Sequence, residues 1–444
     1  MRALIINPPA VCSYFNAGHR LPIFQVGAYL RSQPGISRVD CHDFGGLNAT
    51  WKNVCDVLLR GYDVIGVFND YDGIDGLERF VEYARRLLPR ARLITFGRGS
   101  KQAPEFFQRF DLDAIAASGD YEACVADYVR YLAGGEPPAG VILAGGEGFL
   151  PASPGRFLGP EEWVLPDVGE IPYEAYDRLY AEDLDKFCGI PGRRELVVPV
   201  ARGCPIGCAF CDVPAMQGRR ERRLSVERTL AYIVEAYARG PFEYVSFYAP
   251  TFTLDKAWVL AFCAAKRAAG LGFPWKCVTT LAHLTGELIA AMGQAGCVRI
   301  SVGLETLSER AHLALPRIKR ESAETLREVA ARCREAGIEL NCFVILGLPG
   351  DTPEDAEYTL RTALECGARV RPTIYTPYQL MRPEMTPAEF RAFNRQLFVD
   401  GTVPAADADR YYRLFYANAE DRRTEVMHRI PTRGAAAARL TEAR

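Results

Sequence analysis

The sequence predicts an α/β protein: an N-terminal doubly wound parallel sheet, a partial, TIM-like (β/α)6 barrel, and a helical C-terminal extension. Three observations carry this. Short β-rich apolar runs alternate along the chain with stretches whose apolar residues recur at helical spacing, the pattern of parallel strands joined by crossover helices. The alternation breaks once, between Gly134 and Gly192, where Gly and Pro accumulate, as in Gly134-Gly135-Glu136-Pro137-Pro138. The length of 444 residues, at roughly 150 residues per domain, asks for two or three domains.

In order, the first domain has strand candidates at Ala3–Ile6, Val39–His42, Val64–Phe68, Leu93–Phe96 and Ala114–Ala117. Between or after them, Ile23–Arg31, Val54–Arg60, Leu77–Leu88 and Glu122–Leu132 read as helices. A sheet of this kind binds ligands at the carboxyl ends of its strands. The barrel strands are Leu196–Ala201, Tyr244–Phe247, Trp275–Val278, Val298–Val302, Leu340–Leu346 and Val370–Thr373. Thr352-Pro353-Glu354-Asp355 and Thr386-Pro387-Ala388-Glu389 each place a hydroxyl cap, a Pro at the first helical position and an acid at the third. The second opens the C-terminal extension, and Ala-rich residues after Arg433 read as a frayed tail. The expected boundaries are 1–135 for the first domain, 136–192 for a connector with little regular structure, 193–380 for the barrel and 381–444 for the extension.

With 49% hydrophobic and 24% charged residues, wholesale disorder is excluded. A net charge of -2 leaves no global field toward nucleic acid or an anionic membrane. Apolar stretches such as Leu340–Gly350 fall short of a membrane span, and Met1–Ile6 is too short for the core of a signal peptide. A cytoplasmic protein with reduced thiols is expected. The run Arg219-Arg220-Glu221-Arg222-Arg223 reads as a solvated face or an anion contact, and without interleaved aromatics it does not predict RNA binding.

Eleven of the 14 cysteines are scattered singly in apolar stretches and read as small core hydrophobes. The other three, Cys204, Cys208 and Cys211, follow the first barrel strand in Arg202-Gly203-Cys204-Pro205-Ile206-Gly207-Cys208-Ala209-Phe210-Cys211. Three thiolates on one Gly- and Pro-tightened loop suit one face of a cubane iron–sulfur cluster. Zinc, which usually takes closer pairs and a fourth ligand, and three unligated thiols are the alternatives.

Cys204, Cys208 and Phe210-Cys211 resemble the Cys-x3-Cys-x-aromatic-Cys signature of the radical S-adenosylmethionine enzymes, and the similarity runs from about Leu196 to Tyr378. The resemblance implies a 4Fe-4S cluster on the three cysteines, with one iron open to the amino and carboxylate groups of S-adenosylmethionine. It also implies that Phe210 flanks the adenine and that Glu305, closing the fourth strand, contacts the ribose or the amino group. Gly347 and Pro349 of Gly347-Leu348-Pro349-Gly350-Asp351-Thr352 would lie against adenine. The second strand departs from the family: where many members carry Gly-Gly-Glu, this chain has Phe247-Tyr248-Ala249-Pro250-Thr251-Phe252-Thr253. The methionine end is then held differently, with Tyr248 beside it. Some members with an N-terminal cobalamin domain also lack that triplet and carry an aromatic-rich Thr-Phe-Thr segment.

The first domain resembles that cobalamin-binding domain, with Asn7-Pro8-Pro9 after the first strand and Phe96-Gly97-Arg98-Gly99 after the fourth. The resemblance implies that Asn7, Pro8, Gly97 and Gly99 edge the corrin. Asp40-Cys41-His42-Asp43-Phe44-Gly45 fits Asp-x-His-x-x-Gly but follows the second strand, so His42 reads as an ordinary strand-end histidine and not a cobalt ligand.

The function implied is that of a cobalamin-dependent radical S-adenosylmethionine methyltransferase, acting on carbon. In it, a methyl group passes from methylcobalamin to a substrate radical made by 5′-deoxyadenosyl. Rearrangement, cyclisation or polar methylation are the alternatives within the subfamily, and a cobalamin-binding regulator with a vestigial barrel is the alternative outside it. A small-molecule or peptide substrate and an electron donor such as a flavodoxin or ferredoxin are the partners implied, with no membrane or nucleic acid.

Overall fold

The computed structural model describes residues 1–10, 21–145, 148–150, 152–182, 190, 192–393 and 403–419. Two compact units divide the chain. The first comprises Met1–Cys188 together with two later segments, Asp212–Gly218 and Pro377–Leu397; the second comprises Gly189–Cys211, Arg219–Thr376 and Phe398–Arg444.

The first unit holds a seven-stranded sheet, β1 (Arg2–Asn7), β2 (Arg38–Asp43), β3 (Val64–Asn69), β4 (Arg92–Gly97), β5 (Ala114–Ala116), β6 (Val141–Gly145) and β7 (Gly148–Leu150), in the order β2-β1-β3-β4-β5-β6-β7. β1 to β5 run parallel, and the order reverses beside β1, the arrangement of a doubly wound sheet. Every residue of β3 is buried, because helices cover both faces of a parallel sheet. β6 and β7 add antiparallel to the edge. They lie in the stretch expected to be an irregular connector, as does the helix Tyr173–Glu182. The Gly-Pro content marks the turns there, and the short runs between them are paired by the sheet edge, which no local pattern reveals. The segment Pro377–Leu397, expected to end the barrel and open the extension, groups with this unit because Phe390 stacks on Phe106 at 4.1 Å and meets Phe107 edge-on.

The second unit holds six parallel strands, β8 (Glu195–Pro199), β11 (Tyr244–Tyr248), β12 (Trp275–Thr279), β13 (Cys297–Glu305), β14 (Glu339–Leu346) and β15 (Arg369–Ile374), paired in sequence order with β8 and β15 at the edges. A two-stranded antiparallel pair, β9 (Ala201–Arg202) with β10 (Arg222–Arg223), flanks it. Five crossover helices follow in turn: Val226–Arg239, Lys256–Ala268, Gly286–Gln294, Ala323–Glu335 and Pro353–Glu365. The side chains of their N-caps, Ser225, Asp255, Thr285, Ser322 and Thr352, each accept a backbone N–H from three residues on. Each satisfies a donor the helix cannot pair. All nine residues of β13 are buried, placing it at the centre of the sheet. This is the expected partial barrel.

In the extension, Pro387–Ala392 and Ala405–Ala419 are helical, the first starting at the predicted Thr386 capping box. The tail after Arg433, Cys12 and Cys188 lie outside the described residues. Of the remaining single cysteines, Cys124, Cys263, Cys277, Cys297, Cys333, Cys342 and Cys366 are buried as expected, whereas Cys41 and Cys55 are only half-buried. The basic run also divides. Arg223 is half-buried, grips Glu221 through Nε at 2.8 Å and Nη2 at 2.9 Å, and lies 4.9 Å over Trp258, while Arg219 and Arg220 remain exposed. Among the described residues no helix is long and apolar enough to cross a membrane.

Candidate functional site

The cysteine loop leaves the barrel after β8 and β9. Gly203 (φ 85°) and Gly207 (φ 74°) adopt left-handed conformations that a side chain would strain. The loop keeps Cys204, Cys208 and Cys211 half-buried. Cys211 N–H donates to the Cys208 carbonyl at 3.1 Å, and the Cys204 thiol lies 3.7 Å from the Thr251 hydroxyl in the segment after β11. Burial pushes the Cys208 thiol up to about 11, against the pull of the Lys319 ammonium. Among the described residues, no three His, Cys, Asp or Glu side chains stand together as ligands of a single ion.

Lys319 is the residue that sequence reading missed. Its buried Nζ donates to Glu305 Oε1 at 2.9 Å and to the Gly303 carbonyl at 3.1 Å. Burial alone would lower its pKa, but the Glu305 carboxylate and the thiols of Cys208 and Cys211 hold it above the ordinary lysine value. A cation held charged beside two of the three thiols suits an anionic occupant, so the donor set fits an iron–sulfur cluster.

The chain makes room for this pair at some cost. Register slips between Gly303 and Glu305, and Glu305 takes φ 61°, a left-handed conformation uncommon outside glycine. A Cβ at Gly303 would collide with both Glu305 Oε1 and Lys319 Nζ. Glu305, expected at the rim, is therefore there, but its carboxylate is already engaged.

Phe210 packs against Ala311, Leu315, Ile345, Leu348 and Tyr375, an apolar cluster at the ends of β14 and β15. Gly347 (φ 79°) is buried and Pro349 exposed in the turn after β14. Tyr248 ends β11 with its side chain 53% exposed. Further polar atoms gather after β12 and beside Lys319. Thr280 Oγ1, His283 Nδ1 and Glu321 Oε1 are buried without a hydrogen-bond partner among the described residues. Burial and the Lys319 charge lower the His283 pKa, keeping the imidazole neutral. Unspent buried donors and acceptors of this kind are costly unless a ligand satisfies them. No sequence pattern links Glu321 to Thr280 and His283, since it comes from a separate loop.

Asp351, next after the Gly-Leu-Pro-Gly turn, has both oxygens buried without a hydrogen-bond partner that meets full geometry among the described residues, while the Gly347 and Thr352 amides and the Thr306 hydroxyl favour its charged form. Burial, then Asp355, pushes its pKa from 3.8 up to about 7. The folded chain therefore keeps this proton where the unfolded chain has lost it, and stability falls as pH rises between those values. Asp351→Asn is expected to remove that part of the slope and to gain about 1–3 kcal/mol above neutrality. Urea unfolding of the variant and wild type across this pH range checks it.

In the first unit, the Asn7 side-chain amide donates to Asp43 Oδ1 at 2.7 Å, and Asp43 also accepts from Tyr176 at 2.7 Å. Pro8 is buried beside it, and its carbonyl faces Gly45. Gly97 (φ 156°) and Gly99 serve packing: a Cβ would overlap the Asn69 carbonyl at the first and the Phe107 ring at the second. At both glycines the protein's own groups already approach the backbone closely. His42 stacks on Phe44 at 5.1 Å. Room for a ligand lies elsewhere at the strand ends, in a cleft of about 480 Å³ lined by Glu105, Ala117, Ser118, Ile142, Leu150 and Pro154. At the end of β3, the buried Tyr71 hydroxyl lacks a partner among the described residues. Both features fit a large ligand laid across the carboxyl ends of the strands, as cobalamin would be.

Residues 198–363 match the model of the Radical SAM superfamily, so the strands and loops that carry the three thiols are a radical SAM domain. The chain is 24% identical, over 50% of its length and 41% of the relative's, to an anaerobic magnesium-protoporphyrin IX monomethyl ester cyclase of Rubrivivax gelatinosus. It is 31% identical, over 41% of its length and 40% of the relative's, to a tRNA-2-methylthio-N(6)-dimethylallyladenosine synthase of Thermobifida fusca. The chain thus spans about two fifths of each of these curated relatives. Its fold is shared with the radical S-adenosylmethionine methyltransferase TsrM of Kitasatospora setae, solved with cobalamin and a [4Fe-4S] cluster bound, at TM-score 0.70 and 15% identity. The match covers 97% of this chain and 91% of that one.

Proposed function

We propose that this chain is a cobalamin-dependent radical S-adenosylmethionine enzyme that transfers a methyl group to carbon of a small-molecule or peptide substrate. The observation that carries the reading is the triad Cys204, Cys208 and Cys211 beside the buried Lys319 ammonium, in a chain whose fold follows TsrM almost end to end. When bound, the cluster supplies the electron that releases a 5′-deoxyadenosyl radical from S-adenosylmethionine, and cobalamin supplies the methyl carrier.

The chain's own residues do the rest. The three thiolates would hold the iron–sulfur cluster. Lys319 offsets thiolate charge and presents its ammonium to the carboxylate of S-adenosylmethionine, with Glu305 keeping it in place. The Phe210 cluster, with Gly347 and Pro349, offers an apolar seat for the adenine, and Tyr248 stands at the methionine end. Thr280, neutral His283 and Glu321 give hydrogen bonds to hydroxyl or amino groups of the bound pair. The first unit holds the corrin along its strand ends, from Asn7 and Pro8 to the cleft beside β5, with Gly97 and Gly99 keeping the intervening loop close to the sheet. An electron donor such as a flavodoxin or ferredoxin completes the system.

The test is the product ratio for the reconstituted chain with S-adenosylmethionine, reductant and a panel of candidate substrates. Carbon methylation through a radical releases one 5′-deoxyadenosine with each S-adenosylhomocysteine. Deoxyadenosine alone would replace this reading by rearrangement or cyclisation, and homocysteine product alone by polar methylation.

A further inference from the structure

The first unit includes Asp212–Gly218, a segment that begins at the residue after Cys211. Two cations of the short helix Arg98–Gln102, which follows β4, hold it. Arg98 Nε donates to Asp212 Oδ2 at 2.8 Å and Nη2 to the Tyr378 hydroxyl at 2.9 Å, while Asp70 Oδ1 lies 3.7 Å from Nη1. The guanidinium also lies over the rings of Tyr71 at 4.9 Å and Tyr378 at 5.7 Å. Three residues on, Lys101 Nζ donates to the Met216 carbonyl at 2.6 Å and lies 4.1 Å over the Tyr121 ring. The short helix Val213–Gln217 is thus fastened at Asp212, its N-cap residue, and again in its last turn. A planar fork that serves Asp212 and Tyr378 at once while stacking on two rings is a task for arginine; a lysine ammonium matches the charge and not the geometry.

Such a site is far more elaborate than the short helix needs for its own stability. Its consequence falls on Cys211, whose Cα lies one rigid peptide, about 3.8 Å, from that of Asp212. Fixing Asp212 fixes the backbone on the C-terminal side of the third thiol. Resting on the reading of Cys211 as a cluster ligand, we propose that Arg98 is a positioning residue for the cluster: through Asp212, the next residue in the chain, it sets where the third thiolate stands.

The experiment uses the full chain, reconstituted anaerobically, as wild type, Arg98→Lys, Arg98→Met, Asp212→Asn and the Arg98→Met/Asp212→Asn double variant. Iron per chain, the paramagnetic resonance spectrum of the reduced cluster with and without S-adenosylmethionine, and the S-adenosylmethionine dissociation constant are measured. Arg98→Met is expected to keep its iron, to change the spectrum and to weaken S-adenosylmethionine binding about tenfold. Arg98→Lys should fall between it and wild type, and the double variant should be no worse than the worse single one, because the two residues act as one unit. If Arg98→Met loses its iron, Arg98→Lys and Asp212→Asn still decide, through their spectra and dissociation constants. Variants with wild-type spectrum and affinity at equal iron content, or effects that add in the double variant, would overturn the proposal. A wild-type chain that takes up no cluster would instead overturn the reading of the cysteines on which it rests.

Discussion

Replacing Cys204, Cys208 or Cys211 with Ala is expected to abolish cluster assembly, whereas Cys263→Ala or Cys297→Ala leaves iron at the wild-type level. The contrast follows from where the thiols stand. Cys263 and Cys297 are buried among apolar side chains, and burial drives both thiols well above their ordinary pKa, so neither presents a thiolate. The triad is half-buried on one loop beside a retained positive charge. A cluster held by three protein ligands has none to spare, so one deletion suffices. Cobalamin binding should survive in all three variants, because its proposed contacts lie in the first unit. Iron, sulfide and cobalamin per chain after anaerobic reconstitution measure the outcome, and iron at wild-type level in the triple alanine variant would remove the assignment.

The second large effect is on stability. Lys319→Met strips the partner from Glu305, whose side chain is only 7% exposed, and leaves a buried carboxylate uncompensated. Breaking a buried ion pair from one side costs about 3–5 kcal/mol, whereas replacing both partners with apolar residues is often neutral. The Glu305→Met/Lys319→Met double variant should therefore recover much of what Lys319→Met loses. Because the folded pKa of Lys319 is raised, the pair's contribution is fully present below the ordinary lysine value of 10.5 and is lost as pH rises through the folded value. Thermal unfolding of the metal-free chain, as wild type, both single variants and the double variant, reads this out. A double variant as unstable as the sum of the two single ones would show that the pair is not coupled.

Much of the fold was legible because parallel strands buried on both faces are written as unbroken apolar runs. The expected Val64–Phe68 and Trp275–Val278 are observed as Val64–Asn69 and Trp275–Thr279. What escaped depends on pairing at a distance. Val141–Gly145 becomes a strand only by joining the edge at β5, and Phe390 leaves the extension for the first unit because Phe106 and Phe107 receive it. The cysteine triad was legible because its ligands are adjacent in sequence. Lys319, Thr280, His283 and Glu321 were not, since they come in two pairs from separate turns, Thr280 with His283 and Lys319 with Glu321, with no periodicity of their own. Gly97 and Gly99 were legible as places of close approach, and the protein's own backbone and ring do approach them.

The central claim is that electron transfer at the triad cleaves S-adenosylmethionine. The most direct test is the release of 5′-deoxyadenosine by the full chain, loaded with about four irons and supplied with S-adenosylmethionine and dithionite. The account predicts that wild type releases it and that the triple Cys204/Cys208/Cys211 alanine variant does not. Loaded wild type that leaves S-adenosylmethionine intact, or a triple variant that cleaves it at the wild-type rate, would contradict the account.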